Sequence, residues 1–313
     1  MTLYVLRFGA INAPNDPLWY ARSAERIGNG NGFTVDIVYP IAYDSSHPIH
    51  SQPEYVRPPL YSYLLASLYL VLPNNLWVTL LGSVLAYIAL VPVVYQIADD
   101  WFGISTACWA AAMTVFSPFV YTWTVSALTH VFFAILIISA FSTAKSSRWI
   151  LCGGIISAAY LTRGSVLTFL PPILLYAYVN GDRADIARVL GSFASVASPY
   201  WLRNIALTGN PLFSYQSQQF SRNHQVEPYT SLFSQVHPVD PFGWILAHPA
   251  VFLNKTVNQL LTVPLKFFDQ FGGGPMVFFA AVGILVAIKQ HSFDTDLFAT
   301  IVLAGMCYYL LHR

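Results

Sequence analysis

Charge is what this sequence has least of. Asp, Glu, Lys and Arg make up 9% of its 313 residues, hydrophobic residues 56%, and the net formal charge is +1. Soluble domains carry about 25% charged residues, so an ordinary globular protein is excluded. From 101 to 144 no Asp, Glu, Lys or Arg occurs in 44 residues. A helix needs about 20 apolar residues to cross the hydrocarbon core, so that run alone has room for two spans. A basic cluster is missing too, which argues against nucleic acid as a partner. The three cysteines, Cys108, Cys152 and Cys307, all fall inside apolar runs, where a thiol behaves as a small hydrophobe. No disulfide is therefore expected, and no redox compartment follows. The signal-peptide pattern is absent. The chain opens on Leu3-Tyr4-Val5-Leu6-Arg7-Phe8, like the tail of a span, and closes abruptly on His312-Arg313, so it is expected to be cut from a longer one at both ends.

What is present is polarity in two blocks. Residues 15–59 are the longest polar interval of the N-terminal half and hold five of the fourteen acids. Residues 208–271 are the second, with Arg222, His224, Glu227, His237 and Asp240. In the first, Leu18, Ala21, Ala24 and Ile27 recur at helical spacing with Arg22, Glu25 and Arg26 between them, which predicts a surface helix over 16–27. Asp16 at the N-cap and Pro17 at the first helical position start it, and the glycines of 28–32 stop it. Residues 33–57 read as loop. Residues 59–72 are apolar but bounded by Pro58 and Pro73, too short to span and better read as half-embedded. A second interfacial stripe runs over 248–268.

Full spans are expected at 75–97, 104–121, 128–144, 149–162, 164–178, 189–206, 272–289 and 295–311, after a truncated first one. The fold class is thus all-α: a polytopic membrane protein with about eight or nine transmembrane helices. It forms one domain over 1–313, with extracytoplasmic loops at 13–74 and 208–271. Lys145, Arg148, Arg183, Arg188 and Lys289 then lie in short cytoplasmic loops, as positive residues tend to. Nine cations fall outside all the same (Arg22, Arg26, Arg57, Arg163, Arg203, Arg222, Lys255, Lys266, Arg313). Either the topology is inverted or those residues are held outside for a reason.

Asp16 is the acid to single out. It reads as an N-cap, and a carboxylate in that place can also act as a general base. Arg57 precedes Pro58-Pro59, which stiffen the segment, and so offers a fixed guanidinium or a snorkelling one. Arg163 interrupts 33 residues, 149–181, that otherwise hold no charge; at a bilayer centre it would cost on the order of 3 kcal/mol, so it belongs at a span end facing an anion. Arg203 with Asn204 repeats the theme. Several guanidinium groups at one face suit a phosphate. His47 and His50, with Asp44 and Glu54 near, bracket a proline and fit no usual ligand spacing, so no metal or other cofactor is expected. His130 near a span end reads first as a polar core residue. The glycine runs at 28–32 and 272–274 lack a phosphate-loop lysine and read as turns.

Taken in order, Asp16-x-x-x-Tyr20-Ala21 leading to Gly30-Asn31-Gly32-Phe33, Arg57-Pro58-Pro59-Leu60-Tyr61, Leu161-Thr162-Arg163-Gly164, and Arg203-Asn204 followed by Thr208-Gly209-Asn210-Pro211-Leu212-Phe213 resemble the polytopic glycosyltransferases of the C superfamily. The branch is glycosyltransferase family 39, with the protein O-mannosyltransferases and the lipid A aminoarabinose transferase. The resemblance implies that Asp16 is the essential acid of the first outward loop, and that Arg57 and Arg163, with Arg203, touch the phosphate of a lipid donor. Tyr20, Tyr61, His130 and Asn204 are then candidate substrate contacts. This chain departs in having Pro17 where many members have a second acid, and Ser126-Ala127-Leu128-Thr129-His130 where they often carry an acid.

The function expected is transfer of a sugar from a polyprenyl-phosphate donor to a lipid, glycan or protein acceptor on the outer face of the cell membrane, with inversion. The rival is a transporter or flippase of a lipid-linked anion, which would favour charges inside the spans along a path.

Overall fold

A computed structural model describes residues 16–36, 46–215, 241–270 and 301. The described chain is almost wholly helical. Helix α1 (Asp16–Gly28) stops where Gly30 and Gly32 take positive φ, and the loop after it carries β1 (Thr34–Val35). Within the expected loop 33–57, β1 pairs antiparallel with β2 (Gln52–Pro53), just after a 3-10 turn at Ile49–Ser51. Arg22 and Arg26 hold this fold-back to α1. Arg22 pairs with Asp36 and, at 2.6 Å, with Glu25; Arg26 donates to Thr34 Oγ1 at 2.6 Å and to Ser51 Oγ at 3.0 Å. These two cations serve the loop.

The apolar segment after Pro59 is α2 (Leu60–Tyr69), ten residues long, with Tyr61, Ser62, Leu65 and Ala66 buried. It packs on α1 through the small cluster of Tyr20, Ala24, Tyr61 and Leu65. Helix α3 (Leu76–Phe102) is long and apolar enough to cross a bilayer, one such helix among the described residues. Asn75 caps it by accepting from the Val78 amide, and Gly103, at φ 84°, ends it.

The expected span 104–121 is instead two helices, α4 (Ile104–Val115) and α5 (Pro118–Val125). Pro118 disfavours helical backbone at Ser117, which becomes an N-cap and accepts from the Val120 amide. Helices α6 (His130–Lys145) and α7 (Trp149–Tyr160) follow the expected segments closely. The segment 164–178 divides into a 3-10 turn, Gly164–Thr168, and α8 (Leu170–Asn180), whose Pro171 and Pro172 fit a first turn that has no amide bonds to make. Helix α9 (Arg183–Thr208) starts six residues before the expected 189, because Asp182 and Asp185 form a reciprocal cap. Helices α10 (Pro241–Ala247) and α11 (Pro249–Gln270) cover the second stripe. The expected spans 272–289 and 295–311, and the truncated first one, lie outside the described residues.

The main core lies among α6, α7, α8 and α9, built on Cys152, Ile156, Ile173, Val189, Phe193 and Ala197. Gly153 lets α7 and α9 approach closely: a Cβ there would collide with the Val189 carbonyl and the Ser192 hydroxyl. Both helices run from an end marked by Trp149 and Arg183 to the end where Arg163 and Arg203 stand. Helix α6 runs the other way, from His130 to Lys145.

Candidate functional site

The end of the bundle that holds Arg163 is tied to the first loop by one backbone bond. The Leu60 amide donates to the Leu161 carbonyl at 2.8 Å, bringing Arg57-Pro58-Pro59 against Leu161-Thr162-Arg163. Arg163 Nη1 lies 3.1 Å from His130 Nε2, and its guanidinium sits 5.9 Å from the Phe133 ring centre. His130 in turn stacks on Trp123, with centroids 5.1 Å apart and planes at 21°. Arg57 stands 5.8 Å over the Tyr20 ring. Two arginines from segments more than 100 positions apart are thus brought to one end of the bundle, Arg163 in contact with His130.

Asp16 opens α1 one helical turn before Tyr20. The helix is held by a group the sequence singles out only as a neighbour of the histidine pair. Glu54 is 0% exposed and accepts hydrogen bonds from the Trp19 indole, from the Val56 amide at 2.5 Å and from the Arg57 amide at 2.8 Å. Burial pushes its carboxyl above the usual carboxylate range, while the Trp19 indole and the Arg57 and Val56 amides pull it back. Glu54 thus fixes the turn of Arg57 to the helix of Asp16. The signal was an acid set between apolar neighbours three residues before the Arg-Pro-Pro run.

Arg203 is engaged on another side. It lies 5.1 Å from the Phe33 ring centre and 5.7 Å from that of Tyr55, and donates to the Phe33 carbonyl at 3.2 Å. It shares the field of Glu54 with Arg57. Asn204, 1% exposed, gives its amide to the Pro211 and Phe213 carbonyls at 3.1 and 3.3 Å. It thereby folds the Gly209-Asn210-Pro211 turn, after which Tyr215 donates to the Tyr55 carbonyl at 3.1 Å. Tyr61 is 2% exposed and its hydroxyl meets Ser83 Oγ at 2.9 Å, inside the bundle. Tyr61 and Asn204 are thus engaged in the protein's own packing, whereas Arg57 meets Tyr20 and Arg163 meets His130.

Chemically the cluster offers two fixed cations, an imidazole and aromatic walls: a place for an anion with an apolar or sugar-like neighbour. Residues 56–198 match the family model of the dolichyl-phosphate-mannose-protein mannosyltransferases, a stretch just under half of the chain. It includes Arg57, Tyr61, His130 and Arg163 and leaves Asp16, Tyr20, Arg203 and Asn204 outside. No curated protein and no solved structure gives a significant match. Over residues 56–198 the chain is thus similar to a family of membrane glycosyltransferases of the C-superfamily type.

Proposed function

We propose that the protein transfers a sugar from a polyprenyl-phosphate donor to an acceptor hydroxyl or amine at the outer face of the membrane, inverting the sugar carbon. What supports this reading is the Leu60–Leu161 backbone bond, which brings Arg57-Pro58-Pro59 against Arg163, itself 3.1 Å from His130. The bond between the anomeric carbon and the donor phosphate breaks, and a bond from that carbon to the acceptor forms. The phosphate leaves as a weak base, so no acid need protonate it. Asp16 takes the acceptor's proton, and Arg57 and Arg163 stabilise charge growing on the departing phosphate, an electrostatic contribution that is commonly the largest in such sites. Arg203 stands ready to add to that charge or to hold the loop; its contacts with Phe33 and Tyr55 favour the second.

The test is a labelled polyprenyl-phosphate sugar in liposomes holding the protein. Label appearing on a new acceptor supports transfer. Label moved across the bilayer with its phosphate bond intact would establish the rival flippase instead.

A further inference from the structure

At the end of the bundle opposite Arg163, α7 and α9 leave a groove of about 780 Å³ between them. Its mouth carries Arg148 and Arg188 and its walls Leu151, Gly154 and Val196; no acid lines it. The two glycines of α7 divide the labour. Gly153 is where α9 presses on the backbone, as the collisions of an added Cβ show, whereas a Cβ on Gly154 would meet nothing within 4 Å. Glycine inside a helix costs about 1 kcal/mol relative to alanine. Helix contact accounts for Gly153, but nothing in the described protein occupies the space that Gly154 leaves.

We propose that this groove holds one anionic phospholipid of the leaflet at that end, its phosphate between Arg148 and Arg188 and an acyl chain lying along Gly154. The charge pattern selects the occupant. Arg188 gives one nitrogen to Asp185 and keeps a half-exposed guanidinium, and Arg148 is exposed at the start of α7. The pair binds a phosphate better than a zwitterionic headgroup, whose ammonium it repels, and apolar walls below the arginines favour a lipid over a free ion. The site requires only that the chain lie in a bilayer and is independent of the transfer reaction.

The experiment is native mass spectrometry of the detergent-solubilised protein offered equal amounts of phosphatidylglycerol and phosphatidylcholine. The wild type should retain one phosphatidylglycerol per chain with about tenfold preference or more, given about 1 kcal/mol per arginine at an anionic lipid. Arg148→Gln with Arg188→Gln should abolish the preference, and Gly154→Leu, whose Cβ enters open space in the groove, should abolish retention while leaving the melting temperature of the delipidated chain unchanged. Equal retention of both lipids by the wild type, or undiminished phosphatidylglycerol binding by the double variant, would overturn the site.

Discussion

The Trp19 indole donates its hydrogen to the Glu54 carboxylate, 35 positions further along the chain, and the same carboxylate accepts the amide of Arg57. A wholly buried acid so joins the helix that begins at Asp16 to the turn that presents a guanidinium. Replacing Glu54 by Ala strands three buried donors, each worth about 1–3 kcal/mol, and should prevent stable folding. Glu54→Gln keeps one acceptor and should fold with a loss of about 1–3 kcal/mol, read as a lower melting temperature.

The same residue gives a pH dependence of stability. Its folded pKa lies above the ordinary glutamate value of about 4.3. A raised pKa means that the folded state holds the proton more tightly than the unfolded one. The contribution is therefore complete below about pH 4.3 and is lost as pH climbs through the folded pKa. Melting temperatures of wild type and Glu54→Gln measured across that window should converge or cross on the alkaline side; parallel curves would show that Glu54 does not titrate differently on folding.

For the two cations, Arg57→Ala and Arg163→Ala should each lower sugar transfer by about a hundredfold or more, the usual size when one preorganised donor is lost. Lysine at either place restores charge without the planar fork and should recover only part of the rate. Because the Leu60–Leu161 bond sets both at one end of the bundle, the double alanine variant should lose less than the product of the single losses. Fully multiplicative losses would mean that the two act on separate events.

Asn204 has its amide committed to the Pro211 and Phe213 carbonyls. Asn204→Ala should therefore cost about 1–3 kcal/mol of stability and leave the transfer rate per folded molecule close to wild type. A normal melting temperature with a lost rate would make it a substrate contact after all.

Much of this arrangement was legible in the chain before its structure. Helix α1, the short α2, and α6 and α7 follow from apolar spacing and from Pro17, Pro58 and the glycines of 28–32, whose effects are local. The break at Ser117 was signalled by Pro118 but outweighed by the uniform apolarity of 104–121. The early start of α9 was missed because Arg183 and Arg188 were assigned to a loop, while the cap that starts the helix is made by Asp182 and Asp185. Arg57 and Arg163 were each recognisable as costly cations near apolar spans and His130 as a candidate contact, but the pairing of His130 with Arg163 was not, since no local pattern links residue 130 to 163. Glu54 escaped for the same reason: its side-chain partner, Trp19, lies 35 residues back, and the histidines beside it suggested a different role. Arg22 and Arg26, two of the cations that disturb the charge tally, have their reason in Asp36, Thr34 and Ser51.

The most direct measurement is turnover and donor binding of Asp16→Asn beside the wild type, in liposomes with a labelled polyprenyl-phosphate sugar. Asparagine can still start α1, so the fold stays, while no base remains for the acceptor's proton. Turnover should fall by about 10²–10⁴ with donor binding nearly unchanged. Wild-type turnover in that variant would contradict the assignment of the base and, with it, the chemistry proposed for this end of the bundle.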